Sequence, residues 1–427
     1  MMHFDNVNSI NLNDPEYFEI LSGLWSGKKP PFTKAGVIRN TNFTASGEID
    51  YSDVAWLDVE TKQLAKRKLK YGDIIIERSG GGPKQPVGRV VQFRREDGIF
   101  SFSNFTTTVR VKKFDDLDPL FAFYILLELY QSGRTEDIQR RTTGLRNLDF
   151  KAYKERALFP LISRREQHHI AYMLSTVQTA IEQQERLIKL TRELKSALMH
   201  KLFTGGLHGE KQKMTEIGPV PESWKVLPLD ELLTRTQYGL SIRGEDAGKY
   251  GILRMTNQTD GKISTEKMQF IDLNEKNFEN YRLKRKDILF NRTNSLELVG
   301  RTAIFDIEGD YVFASYLIRL NTNNERLDAF FLNHYLNWED TQRRLKTIAL
   351  RAVSQSNINA TRLRSFQIPV PPLKEQAEIV LHVNTIINKI EIHQRKKQIL
   401  EELFRALLNQ LMTGQTRVNE IDLPGFS

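Results

Sequence analysis

A chain of 427 residues, 40% of them hydrophobic, is long enough to bury two cores, and its lack of cysteine excludes disulfides and thiolate metal sites. Sixty-two basic residues against 53 acidic ones give a formal charge of +9, which suits a polyanionic partner and equally a surface of solvated lysines. No apolar run approaches the ~18 residues of a membrane helix, and Met1 to Asn11 lacks the basic and apolar regions of a signal peptide, so a soluble, cytoplasmic protein with no membrane partner is expected.

In chain order, the first pattern is Val37-Ile38-Arg39-Asn40-Thr41-Asn42, with Gly47 and Ile49 after it. Asp73 to Glu77 reads as a short apolar strand ending in Arg78, followed by the polar loop Ser79-Gly80-Gly81-Gly82-Pro83-Lys84 and then Val87-Gly88-Arg89. Asp118-Pro119-Leu120-Phe121 opens an apolar helix, and Arg140-Arg141-Thr142-Thr143-Gly144-Leu145-Arg146-Asn147 forms a basic and amide cluster. A proline-bearing strand at Pro160 then runs through Glu166-Gln167 into a long heptad pattern that closes on Leu202-Phe203-Thr204-Gly205.

The second half repeats this series. Pro160 to Gly205 realigns on Pro369 to Gly414 at a constant offset without a gap, carrying Glu375-Gln376 and ending Leu411-Met412-Thr413-Gly414. Upstream, Ile252-Leu253-Arg254-Met255-Thr256-Asn257 answers the first pattern, and Asp287-Ile288-Leu289-Phe290-Asn291-Arg292, with Val299-Gly300-Arg301, answers the second. Asp328-Ala329-Phe330-Phe331 opens the matching helix, and Arg351-Ala352-Val353-Ser354-Gln355-Ser356-Asn357 is the matching cluster. A repeat of this length is a duplicated domain, each copy an α+β globule of limited sheet content followed by a long helix.

The helices carry narrow apolar stripes at alternating four- and three-residue steps, Ile170, Leu174, Val177, Ile181, Leu198 and Leu202 in the first and Ile379, Val383, Ile386, Ile390, Leu407 and Leu411 in the second. Such a stripe fits a coiled-coil seam better than a face laid on a broad core. A helix of about 40 residues is ~60 Å long, and in a parallel pair the linker of roughly 17 residues would have to run back that whole distance fully extended. An antiparallel pair is expected instead, with the two domains at opposite ends of a rod and related by a pseudo-twofold axis. Gln184 and His393 would then face each other mid-seam or point to solvent, and His168-His169 reads as a pair of solvated helix residues, not ligands.

A strand-ending arginine beside a flexible polar loop can read a guanine edge or hold a phosphate, and it can equally pair with a nearby carboxylate. The two basic clusters before the proline strands serve either the same purpose or the docking of each domain on its own helix. Catalytic signatures are weak. In Lys29-Pro30-Pro31-Phe32 a lysine stands where adenine methyltransferases need an acceptor, Asp58-Val59-Glu60-Thr61-Lys62 has a nuclease-like spacing expected by chance, and Ser26-Gly27-Lys28 lacks the rest of a phosphate loop. Two non-catalytic readings remain, a DNA-recognition subunit and a coiled-coil adaptor that binds proteins only, which salt-dependent DNA binding separates.

Gly218 to Trp224 (Gly-Pro-Val-Pro-Glu-Ser-Trp), Arg254 with Asn257, Lys286-Asp287-Ile288-Leu289, Ser354 to Asn359, and Ile368 to Gln376 together resemble the specificity subunits of type I restriction-modification systems. The likeness runs from about Trp25 to Gly414, although the first half lacks the Pro-x-x-Trp opening seen at Pro221 to Trp224. It implies two target-recognition domains that each read half of a bipartite, asymmetric double-stranded DNA target, joined by an antiparallel helical spacer. It also implies two modification subunits that methylate adenine with S-adenosylmethionine and two ATP-dependent restriction subunits, so that S-adenosylmethionine, ATP and magnesium bind those partners and no cofactor binds this chain. The expected division is 1–158 for the first recognition domain, 159–204 for the first spacer helix, 205–221 for a linker, 222–367 for the second domain, 368–414 for the second helix and 415–427 for a tail. The expected DNA contacts are Arg39, Asn42, Arg78, Lys84, Arg146 and Asn147 in the first half, and Arg254, Asn257, Arg292, Asn294, Gln355 and Asn357 in the second.

Overall fold

Both heptad stretches form unbroken helices, Arg164–Gly205 and Leu373–Met412. The computed structural model describes residues 7–24, 29–44, 46–81, 85–142, 145–351 and 355–418. Trp25, Ser26-Gly27-Lys28, Lys84, Gly144 and Ser354 lie outside them. The chain divides into a first unit, Met1–Glu185 with Arg395–Ser427, and a second, Arg186–Gln394, so each unit holds one globular half and part of both long helices.

In the first unit an antiparallel sheet runs in the order Phe18–Ser22, Thr106–Val111, Ile74–Glu77, Val90–Gln92. Alternation along its central strand sends Ile74 and Ile76 into the core with the helix Pro119–Gln131, and Ile75 into a second core with Ile38, Phe93 and Phe100. Coverage on both faces explains why this strand reads as a continuous apolar run. The second unit repeats the arrangement. Ile288–Asn291 lies inside a six-stranded sheet, with Ile288 and Phe290 packed toward the helix Ala329–Asn337 and Leu289 toward Phe305 and Phe313.

An acid–arginine pair locks each central strand. Asp73 takes Arg110 at 2.8 and 2.7 Å, and Asp287 takes Arg319 at 3.4 Å. The same carboxylates accept the backbone N–H of Lys70 and Lys284, closing the turns that lead into the strands. In the second copy burial pushes the Asp287 carboxyl up and the Arg319 guanidinium down, so the pair fixes geometry more than it adds stability.

The Glu-Gln repeat has a mechanical meaning. Buried Gln167 donates to the carbonyls of Asp116 and Ile162 at 2.8 and 2.9 Å and accepts the N–H of Asp118 at 2.8 Å, while the Asp118 side chain caps the helix Pro119–Gln131. Gln376 donates to Arg326 and Pro371 at 3.0 and 2.8 Å and accepts from Asp328, the cap of Ala329–Asn337, at 2.7 Å. Each glutamine thus bolts its long helix to the apolar helix of the same copy. The preceding glutamate holds a more distant stretch. Glu166 accepts from both Nε and Nη2 of Arg417 at 2.7 Å and from the Val418 N–H at 3.3 Å, whereas Glu375 accepts the Leu207 N–H and the Trp224 indole, both at 2.9 Å. The start of each long helix therefore receives the chain leaving the other, which makes the pair antiparallel.

Apolar contacts agree. Ile170, Leu174 and Ile181 share a core with Phe404, Leu408 and Leu411 in the first unit, and Met199, Leu202 and Phe203 share one with Ile379, Val383 and Ile387 in the second. Ile390 is buried too, and Val177, Leu198, Ile386 and Leu407 are half-buried. The stripe is broader than a narrow seam, because Ala171, Met199, Phe203, Ile387, Leu408 and Met412 are buried beside it and the globular halves cover those positions. One expectation is corrected: His169 is buried, not solvated, with Nδ1 3.4 Å from the Val418 carbonyl, while His168 stays exposed. Residues 205–221 include a hairpin, Gln212–Thr215 paired with Gly218–Pro221.

Candidate nucleic-acid interface

The arginine loop and the basic cluster, far apart in sequence, meet in one small sheet in each unit. In the first, Ser79–Gly81 pairs with Leu145–Leu148, which pairs with Gln139–Thr142. In the second, Thr293–Asn294 pairs with Ser356–Asn357, which pairs with Leu350–Arg351. Backbone bonds join the arginines themselves to these strands, Leu148 N–H to the Arg78 carbonyl at 2.8 Å and Ile358 N–H to the Arg292 carbonyl at 2.9 Å.

Each strand-ending arginine rests on an aromatic ring. The Arg78 guanidinium carbon lies 4.7 Å from the centre of Phe150, and that of Arg292 lies 4.8 Å from Tyr238. The supports come from different elements, the helix Phe150–Arg156 in one copy and the strand Leu233–Tyr238 in the other. Tyr238 is fixed in turn by accepting the Ala360 N–H at 2.9 Å, and Arg292 Nη1 donates to the Ser315 carbonyl at 3.3 Å. A stacked guanidinium has lost most of its side-chain freedom in advance, and its edge is left to donate. Arg292 Nε is buried and has no hydrogen-bond partner among the described residues, and the same holds for Arg254 Nε.

The loop that carries Arg78 is set from below by buried Glu77, which takes both Nε and Nη2 of Arg89 at 2.8 Å. Arg89 also donates to the carbonyls of Asn40 and Phe43, and Asn40 Nδ2 reaches Glu77 at 3.1 Å and the Ser79 carbonyl at 3.3 Å. Asparagine replaces the glutamate in the second copy: Asn291 is buried and Arg301 is exposed.

The other sequence candidates fall into three groups. Arg146 donates to Gln139 at 3.4 Å, and Asn147 lies opposite Ser79 and Arg140 in the same sheet. Asn294 accepts the Ser295 N–H and approaches the Met255 sulfur, Asn357 donates to Thr293 at 2.6 Å, and Gln355 is exposed beside that sheet. Arg39 and Arg254 are not on the sheet strands; both are partly exposed, each fastened to a loop carbonyl, Asp53 at 3.0 Å and Lys267 at 2.7 Å. Asn42 and Asn257 are corrected: both are buried, and each accepts the N–H of the arginine three residues earlier and donates to two loop carbonyls. They are loop staples with no donor left for a ligand. Among the described residues no group of acidic, histidine or cysteine side chains could hold a metal ion, and no helix is long and apolar enough to cross a membrane.

Known proteins resemble this chain in sequence and in fold. Residues 221–402 match the family model described as the type I restriction modification DNA specificity domain. The putative type I restriction enzyme MjaX specificity subunit of Methanocaldococcus jannaschii is 32% identical over 207 residues, 48% of this chain, and the chain spans about half (49%) of that relative's length. The MjaVIII specificity subunit of the same organism is 29% identical over 338 residues, 77% of each chain, and the EcoKI specificity subunit of Escherichia coli K12 is 23% identical over 413 residues, 92% and 84%. Among solved structures, the type I S subunit from M. genitalium superposes with a TM-score of 0.59 at 17% identity, covering 96% of this chain and 98% of that one. A chain from a structure of type I R-M complex assembly and conformational transition gives 0.51 at 16%, covering 94% and 99%. At such identities these two likenesses speak to the fold, while the family model over the second half and the curated relatives make this chain similar in sequence to the specificity subunits of type I restriction-modification systems.

Proposed function

We propose that this chain is the sequence-specific DNA-binding subunit of a type I restriction-modification complex in the cytoplasm, and that each small sheet reads one half of a bipartite, asymmetric target. What carries the reading is the recurrence in both copies, with the ring supplied by a different element in each, of an arginine stacked on an aromatic ring beside a sheet rich in arginine and amides. Arg78, Arg146, Arg292 and Gln355 are the base readers in this account, with Asn147, Asn294 and Asn357 shaping the edge they share. Arg39 and Arg254 grip phosphates. The long helices scaffold two modification and two restriction subunits, which supply adenine methylation and ATP-driven cleavage, and the chain itself performs no chemistry.

Mapping adenine methylation in a strain carrying this chain with its modification subunit, against a strain lacking the chain, tests the proposal. Loss of one bipartite motif on deletion is the expected result and reveals both half-sites. An unchanged methylome with both subunits expressed refutes it and leaves the protein-only adaptor. Arg292→Ala should cost ~1–3 kcal/mol on the cognate site and relax one position; equal loss on every sequence, with a salt slope smaller by about one, would make Arg292 a phosphate contact.

A further inference from the structure

One exposed side chain recurs at the same place in both copies. The turn between the strands Phe100–Phe102 and Thr106–Val111 reads Ser103-Asn104-Phe105, and the turn between Tyr311–Phe313 and Leu317–Thr322 reads Ala314-Ser315-Tyr316. The first two residues differ between copies and the third is aromatic in both. Phe105 is 43% exposed and Tyr316 46% exposed. A lone exposed aromatic is ordinary on a protein surface. Its rigid mounting and its neighbour are what distinguish this pair.

The carbonyl of Phe105 accepts the N–H of Arg78 at 2.8 Å, and the carbonyl of Tyr316 accepts the N–H of Arg292 at 3.0 Å. Each ring is therefore tied through the backbone to the arginine assigned to base reading. The turns are clamped from their other sides as well. Ser103 and Ala314 donate to Ile38 and Leu253 at 2.9 Å, and Leu24 and Leu240 donate to Phe102 and Phe313 at 2.9 and 2.8 Å. The crossing chain approaches so closely that a Cβ on Gly23 would fall 1.9 Å from the Ser103 carbonyl oxygen, and one on Gly239 would fall 2.3 Å from that of Ala314. In the second unit Tyr316 also lines a groove of about 360 Å³ with Ile242, Arg243, Arg254 and Met255. A ring with more than two fifths of its surface exposed, on a turn fixed by three backbone segments, offers an apolar face to a ligand, and its backbone is bonded to that of the stacked arginine.

We infer that Phe105 and Tyr316 are apolar DNA contacts, each pressing its ring on the bases of the half-site read by the neighbouring arginine. The inference rests on the DNA-reading role proposed above and adds its specificity-determining residues. An aromatic face or edge matches a base or a thymine methyl, and supplies the apolar complement that arginine lacks.

The test uses the chain assembled with its modification subunits and duplexes carrying the motif found by the deletion methylome. Phe105→Ala and Tyr316→Ala should each raise Kd roughly 5- to 150-fold, the range of aromatic–base contacts. The slope of log Kd against log salt should stay unchanged, since no charge is removed. Methylation should relax only within the half-site of the altered unit, and Phe105→Tyr and Tyr316→Phe should bind like the original chain. Phe105→Asn and Tyr316→Asn, residues that suit turns, give a second pair should an alanine variant melt early. Unchanged Kd and motif in both alanine variants overturn the inference, and so does an equal loss on unrelated duplexes. If deleting the chain leaves the methylome intact, the DNA-reading role itself falls. If the motif vanishes on deletion yet survives both ring removals, only the inference falls.

Discussion

Glu48 is a point where a buried carboxylate of the first globular half meets the first long helix. Its carboxylate lies 3.2 Å from Arg94 and accepts Gln178 Nε2 at 2.6 Å, and Glu182 on the same helix adds a second negative charge. Burial outweighs the arginine and pushes the carboxyl up from 4.5 to about 7. Between those values the folded chain keeps a proton that the unfolded chain has lost, so stability is full below the lower value and falls as pH rises through the window. At ~1.4 kcal/mol per pH unit the loss reaches roughly 3 kcal/mol by neutral pH. Glu48→Gln keeps an acceptor for Arg94 and Gln178 and removes the ionisation. The variant should melt like the original chain near pH 4.5 and above it at pH 8, by roughly 6–12 °C for the transition of the first unit. Thermal unfolding of the full chain from pH 4.5 to 8.5 at constant ionic strength measures this. A lower melting temperature for the variant at pH 8, or an original pH slope that the substitution leaves in place, refutes the reasoning.

In the second unit the dependence runs the other way. Burial pulls the His334 imidazole down from 6.5 to about 4 despite its 2.9 Å contact with Asn384, so that unit is fully stable above pH 6.5 and loses roughly 3 kcal/mol as pH falls to 4. His334→Gln should flatten that acid limb in hydrogen exchange of the second unit, and an acid limb identical to the original would sink the assignment. Gln376→Ala strands one N–H and two carbonyls and should cost ~2–4 kcal/mol in denaturant unfolding, with Gln167→Ala doing the same in the first unit; losses below ~1 kcal/mol in both would show that the bolts are idle.

The long helices were legible because a heptad pattern and a gapless internal repeat are local signals, and the linker length alone set their direction. The small sheets were not legible as sheets. Gly81 and Arg146, or Asn294 and Ser356, are paired by tertiary folding across a long interval of chain, and two-residue strands leave no periodicity to read. Asn42 and Asn257 looked like ligand donors because a polar residue in a turn suggests exposure, yet the tight turn after each arginine needs an amide inside it. His169 reads as solvated from the sequence because a partner it meets in the fold, the Val418 carbonyl, is more than two hundred residues away. Phe105 and Tyr316 went unnoticed, although a signal existed: in both copies an aromatic follows a strand-ending phenylalanine by three residues in an otherwise small or polar turn.

The split of the first unit between Met1–Glu185 and Arg395–Ser427 orders events during synthesis. Ile170, Leu174 and Ile181 leave the ribosome roughly 230 residues before Phe404, Leu408 and Leu411, a delay on the order of 12 to 46 s at ~5–20 residues per second. Arg186–Gln394 is contiguous and can close its own core while the earlier-made half still waits with the side of its long helix that takes Phe404, Leu408 and Leu411 uncovered. A stop codon after Gln394 should therefore spare the later-made unit and leave the earlier one a client of chaperones.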